Sequence, residues 1–326
     1  MREIRKYFSI CLAIIIVMLF CGCSQVSKAS EPTYTATIGG NSDTLVSLGY
    51  IVQSGNESDI NALRTILNYN QMRELDSEKG KKVDVVIDEN TYSVVYRTTN
   101  LAGYCMPDTY DVYGCKDENG QSVSVYFPTG NTSKVIGYMF GHYDGYSNSE
   151  LLANQLSEEE LVGLAKKEIA KYTDEKYYND YSINYRYDPD LMSYGWYEVT
   201  FYATVSGIRA ADFANVWIYA NGRVRYVKTP PTTGIANKVS SRLDAATCDA
   251  MAEEQITAMY CKEDAELEYV SRELSKRQLT LDDDGTPVII YYYKVKLHDP
   301  NPLTRADGFT LPDTFTDFAT VAVWLK

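Results

Sequence analysis

Apolar and polar positions recur along this chain in two periods. From Ser157 the period is helical: Leu161, Leu164, Ala165, Ile169 and Tyr172 share one face. Glu158, Glu159, Lys166, Lys167 and Lys171 cover the other, acidic first and basic last, as a helix dipole favours. Ser157 and Glu160 have the spacing of a capping box, with Leu156 and Leu161 placed as a hydrophobic staple. The period then changes to two. Tyr181, Ile183, Tyr185 and Tyr187 alternate with Ser182, Asn184 and Arg186, and strand-like runs follow at 197–205 and 214–219. Asn221 and Gly222 form a hairpin signal before a last run at 223–227. One helix and four strands are expected here.

The same plan returns further on. Leu243 stands where Leu156 stood, Asp244 takes the cap position, and Cys248 replaces Leu161. Met251, Ala252, Ile256 and Met259 fall under Leu164, Ala165, Ile169 and Tyr172. Asp212, Phe213, Ala214, Asn215 and Val216 return as Asp317, Phe318, Ala319, Thr320 and Val321, after a longer intervening stretch. A turn over 282–285 joins two strands of this copy, the Pro-rich stretch 299–313 holds most of its extra length, and a strand at 315–325, paired in a sheet, ends it.

Before both copies, residues 42–150 follow a looser version. Asp59 could cap a helix running to about Glu74, with Ile60, Leu63 and Leu67 on one face. Strands are expected at 83–87 and 92–96 around a turn at Asp88, Glu89 and Asn90, and at 110–115, 122–127 and 134–140. The fold class expected is α+β, in tandem units of one helix packed on a small antiparallel sheet. The divisions are residues 1–22, a flexible tether at 23–41, an N-terminal domain at 42–150 that could be a divergent copy, and two units at 151–232 and 238–326. Pro230, Pro231 and Gly234 mark the boundary between the last two.

The start of the chain supplies an address. Residues 2–6 are basic and residues 10–20 almost wholly apolar, a signal too short for a comfortable membrane span. It ends Leu19, Phe20, Cys21, Gly22, Cys23, which resembles the lipobox of bacterial lipoproteins. That resemblance makes Cys23 the lipidated residue and places the chain on the extracytoplasmic face of a bacterial membrane. Phe20 departs from the usual leucine.

Composition narrows the functional classes. The formal charge of −13 disfavours nucleic acid, whose binding depends on neutralising phosphates. The 29 tyrosines against 9 phenylalanines suit sheets buried on one side and wet on the other.

Residues 157–227 resemble a PepSY-type domain. The matching residues are Leu156 and Ser157, Ala165, Ala170, the runs 196–205 and 216–219, and Asn221, Gly222, Arg223 and Val224. Asn221 and Gly222 depart from the Asp and Thr-Gly pattern often found before the family's last strand. A cystatin-like helix-on-sheet module would give a similar pattern. The PepSY resemblance implies an exported or membrane-attached protein that inhibits peptidases or binds in the cell envelope, and it brings no catalytic residues.

Candidate chemistry is sparse. The two histidines, His142 and His298, are far apart, and no nucleophile elbow, zinc-protease motif or P-loop occurs. No cofactor or metal site is expected, and the Asp282, Asp283, Asp284, Gly285 run reads as a turn. Cys105 and Cys115 could bridge the loop between them. Cys248 and Cys261 lie about 20 Å apart if one helix joins them, too far for a disulfide. Among Tyr194, Trp196, Tyr197, Tyr202, Trp217 and Tyr219, one sheet face should pack on the helix and the other could display aromatics. Trp196, Tyr202, Trp217 and Tyr219 are the candidate binding surface; burial against a neighbouring repeat is the other reading. The function expected is a non-catalytic binding or regulatory module of the cell envelope, with the membrane and an envelope protein or peptide as partners. A glycan- or peptide-binding lipoprotein is the alternative, and a hydrolase with a dispersed site the third reading.

Overall fold

The structure is a computed structural model. It describes residues 34–39, 71–101, 109–141, 155–187, 195–239, 243–261, 267–282, 285–302, 310 and 312–325. Residues 34–39, expected as part of a flexible tether, form a strand paired in a sheet, and residues 71–73, expected at the end of the Asp59 helix, form another. Cys23, the remainder of that tether, residues 59–70 of that helix, Cys105, His142, Tyr194, Asp283 and Asp284 lie outside the described residues.

In chain order the strands up to the first helix are β1 (Tyr34–Gly39), β2 (Gln71–Arg73), β3 (Lys82–Ile87), β4 (Asn90–Leu101), β5 (Tyr110–Lys116), β6 (Ser122–Pro128) and β7 (Gly137–Phe140). Helix α1 (Glu158–Ile169) and a 3₁₀ turn (Glu175–Tyr177) precede β8 (Asp180–Arg186), β9 (Trp196–Tyr202), β10 (Thr204–Val205), β11 (Ile208–Ala210), β12 (Ala214–Ile218) and β13 (Val224–Lys228). Helices α2 (Ile235–Val239) and α3 (Ala245–Tyr260) lead to β14 (Glu268–Leu281), β15 (Pro287–His298) and β16 (Thr314–Leu325).

The chain divides into two compact units. One comprises Met1–Asn68, Val205–Arg209 and Asn237–Lys326; the other comprises Tyr69–Thr204 and Ala210–Ala236.

The unit from Tyr69 holds an antiparallel sheet of ten strands, in the order β2-β4-β5-β6-β7-β13-β12-β9-β8 with β3 on β4. The expected local signals act as read. Ser157 Oγ accepts the Glu160 N–H, and the Glu160 carboxylate accepts the Ser157 N–H at 2.8 Å, closing the capping box. Asp88 and Glu89 both adopt positive φ between β3 and β4. Gly222 turns at φ 88°, and a Cβ there would meet Leu156 Cδ1 at 2.8 Å. The glycine is favoured for its backbone conformation, and its small size lets the Leu156 and Leu164 methyls pack against the turn. Helix α1 lies on β12 and β13 and buries Leu161, Ala165 and Ile169 against Val199, Phe201, Val216, Ile218 and Val227. The same core continues through Val125, Phe127 and Tyr138 to Tyr113, Val94 and Ile87.

The other unit is built on a six-stranded sheet, order β1-β16-β15-β14-β11-β10. Strand β16 pairs with β15 on one side and β1 on the other. Helix α3, capped by Asp244, buries Cys248, Ala252 and Ile256. Its Asp249 accepts from Tyr291 Oη at 2.8 Å and pairs with Arg277, while Glu253 accepts from Tyr293 Oη and pairs with Arg272. The helix runs unbroken to Tyr260, with Cys248 buried on its inner face and Cys261 exposed at its end.

This architecture corrects the expected fold class. The described residues do not form tandem units of one helix on a small antiparallel sheet; they are dominated by two extended sheets. Strand β7, the last of the N-terminal run, pairs with β13, the last after α1, through Gly137–Lys228, Tyr138–Val227 and Met139–Tyr226. Thr229 seals the seam, its N–H and Oγ1 both donating to the Ile136 carbonyl. The reason is physical: the outer edge of each meander carries unpaired N–H and C=O groups, and joining two edges satisfies both rows. In the other unit the long strands β14–β16 are flanked by β1 on one side and the hairpin at Val205–Arg209 on the other.

Candidate functional site

Alternation along the strands decides what the ten-stranded sheet presents on the face away from α1. Tyr197, Val199 and Phe201 join the core under α1, so Trp196, Glu198, Thr200 and Tyr202 point the other way. Val216 and Ile218 face the core, so Trp217 does not. A β-bulge at Trp217 and Ile218, opposite β13, shifts the register: Trp217 pairs with Tyr226, and Ile218 with Val224. The extra residue in that bulge is Arg225.

The result is one aromatic and cationic row. Trp196 and Trp217 stack with ring centroids 5.4 Å apart, and Trp217 meets Tyr226 at 4.5 Å. Tyr226 meets Tyr126 at 6.0 Å, and Tyr126 meets Tyr110 at 5.8 Å. Between Tyr126 and Lys228 the row crosses β7 at Gly137, which pairs with both and has no side chain to intervene. Arg225 Cζ sits 4.8 Å from the Trp196 ring centre and 5.7 Å from that of Trp217. Lys228 Nζ lies 3.5 Å from the centre of the Tyr110 ring. Trp196, Trp217, Tyr226, Tyr110 and Tyr202 are each half-buried.

Burial sets the electrostatics. It pushes the Lys228 ammonium down to about 7. It also raises the Tyr226 hydroxyl well above the ordinary tyrosine value, reinforced by Tyr126, Tyr110 and Glu198. Glu198 is the acidic neighbour on this face, and its oxygens are engaged by Arg186 Nε at 2.8 Å and Asn215 Nδ2 at 3.0 Å. Arg225 Nε and Nη1 and both indole N–H groups, of Trp196 and Trp217, are buried without an acceptor.

Of the four surface candidates, the structure brings Trp196, Tyr202 and Trp217 to this face, with Tyr202 ringed by Phe213 at 5.9 Å. Tyr219 is 1% exposed. Arg225, Tyr226, Lys228, Tyr126 and Tyr110 were not singled out from sequence. The alternation of β13 could have nominated Tyr226 and Lys228, but Arg225 joins them only through the bulge. Cys115, on β5, is a free thiol packed beside the core of that sheet, and burial raises its pKa. His298 closes the end of β15, its Nδ1 3.0 Å from the Asp313 carbonyl. Among the described residues no group of three or more acidic, histidine or cysteine side chains could hold a metal, and no helix is long and apolar enough to cross a membrane.

No family model matches the chain, and no curated protein matches it. Three solved structures are similar. The Bacillus megaterium YpeB C-terminal domain matches at 10% identity and TM-score 0.29, over 81% of this chain and 97% of that one. MucB matches at 8% identity and TM-score 0.11, over 83% of this chain and 94% of that one. The Pseudomonas aeruginosa MucA/MucB complex matches at 7% identity and TM-score 0.10, over 67% of this chain and 83% of that one. At these TM-scores the similarity carries no argument about fold or function.

Proposed function

We propose that this chain is a non-catalytic binding module of the bacterial cell envelope, held on the extracytoplasmic face by a lipid on Cys23. Its partner is an envelope protein that presents an acidic segment to the face opposite α1. The observation that supports this reading is the half-buried row from Trp196 to Tyr110, with Arg225 and Lys228 among its rings. Large rings supply contact area at low entropic cost, and aromatic residues and arginine are enriched at the centres of protein interfaces. Arg225, a permanent cation, and Lys228, charged below about pH 7, on one face of a chain of charge −13 favour an acidic partner over a basic one. The PepSY-type resemblance of residues 157–227 agrees with a regulatory role.

A photo-crosslinking residue at Trp196 or Tyr202 of the full-length protein in cells tests this, with Lys167 on the exposed side of α1 as control position. The expected outcome is one envelope protein crosslinked through an acidic segment, from the face positions only, and lost in Cys23→Ala. Binding of that purified partner should then weaken tenfold or more in Trp217→Ala while the variant stays folded. Equal labelling from Lys167, or capture unaffected by Cys23→Ala, would refute the proposal.

A further inference from the structure

We infer that Arg225, with the indole N–H groups of Trp196 and Trp217, forms a carboxylate-binding site for a ligand whose carboxylate adjoins an apolar group. The inference rests on reading this face as a binding surface and names the chemistry of what it holds.

Arg225 is 6% exposed, and the two indole rings sit beside its guanidinium. A π-face attracts the cationic charge but accepts no hydrogen bond in the plane of the guanidinium, where all its N–H groups point. Nε and Nη1 therefore remain donors without acceptors, as do Trp196 Nε1 and Trp217 Nε1. Four unsatisfied donors in one cluster of three side chains are costly in a folded protein, where buried polar groups are nearly always paired. The nearby carboxylate, Glu198, does not serve them, because Arg186 and Asn215 hold it. Four donors and one full positive charge, against Glu198, already engaged, and the Asn215 side-chain carbonyl oxygen as the acceptors on this face, describe a site for an anion that reaches them as the covering rings part. The half-buried rings of Trp196, Trp217 and Tyr226 give that anion an apolar margin. A carboxylate is the anion that an acidic protein segment carries, and its oxygens accept from guanidinium and indole N–H alike.

The probe is N-acetyl-phenylalanine, compared with its neutral amide, titrated into the full-length protein in detergent micelles and followed by tryptophan fluorescence. Trp196 and Trp217 would report; the remaining tryptophan, Trp324, is fully buried in the other sheet. The acid should bind at least tenfold more tightly than the amide, with the preference shrinking in 1 M salt. Arg225→Gln should abolish that preference. Trp196→Phe and Trp217→Phe, which keep a ring and delete the N–H, should each reduce it, so the result does not depend on one variant folding. Equal binding of acid and amide overturns the carboxylate site and leaves the binding surface standing. Binding of neither overturns both. A preference that survives Arg225→Gln, or tighter binding of inorganic phosphate than of the acid, also overturns the assignment.

Discussion

Tyr226 of β13 pairs in register with Met139 of β7, and this pairing makes one sheet out of two stretches that are separated in sequence by α1. The far end of the candidate face depends on it, because Tyr126 and Tyr110 reach Tyr226 only across that seam.

The seam has a point of close approach at Gly137. A Cβ there would lie 2.1 Å from the Val227 carbonyl oxygen and 2.8 Å from Lys228 Cα, both backbone atoms that cannot swing aside. Gly137→Ala should therefore destabilise the protein by about 3 kcal/mol, the upper end of ordinary overpacking. Urea unfolding followed by circular dichroism checks it, and amide exchange should show β7 and β13 losing protection first.

Asp212 gathers the chain elsewhere in the same unit. Its Oδ2 accepts from Tyr177 Oη at 2.7 Å, the Gly234 N–H at 2.8 Å and the Ile235 N–H at 3.1 Å. The side chain is buried, so its loss leaves three donors in an apolar setting. Asp212→Ala should cost about 3 kcal/mol, and Tyr177→Phe about 2 kcal/mol, since it removes one of the three bonds to Asp212 and also the acceptor of the Ala236 N–H. Chemical denaturation of both variants distinguishes a hub from a single contact.

Lys228 predicts a pH dependence. Its pKa in the folded protein is about 7 against an ordinary 10.5, lowered by burial. Between those values the unfolded chain holds a proton that the folded chain has released, so stability attributable to Lys228 rises with pH across this window. Below about 7 the folded protein carries the full cost of the buried charge, offset in part by the Tyr110 ring beneath it. The wild type should gain on Lys228→Met by up to ~3 kcal/mol between pH 7 and pH 10. Taking the difference between the two proteins cancels the tyrosine titrations they share. A flat difference would rule out the lowered pKa.

In the unit that holds α3, Asp249 is shared between Tyr291 Oη at 2.8 Å and Arg277. Burial and the Asp249 bond both raise the Tyr291 hydroxyl above its ordinary value, so it remains a donor across the accessible pH range. A double-mutant cycle of Asp249→Ala and Tyr291→Phe should show a coupling of about 1 kcal/mol. Additive effects would show that the Asp249–Tyr291 bond does not help to hold the helix.

Much of the local structure was legible in the sequence. Ser157 with Glu160, and Asp244 before α3, announce helix starts because a cap is chemistry between residues three apart. The two-residue period of 181–187, and the Asn221–Gly222 turn, likewise express constraints that act over a few bonds. So does the separation of Cys248 from Cys261, which follows from helix geometry. Tertiary structure alone decided how many sheets those strands make. Whether β13 ends a small meander or pairs with β7 depends on which backbone edges meet, and no side-chain period records that. It also decided the membership of the candidate face. Trp196 and Trp217 could be assigned a face by counting, but Arg225 turns toward them through a bulge. A bulge depends on the register of two paired strands, a relation between distant residues that a linear pattern does not carry.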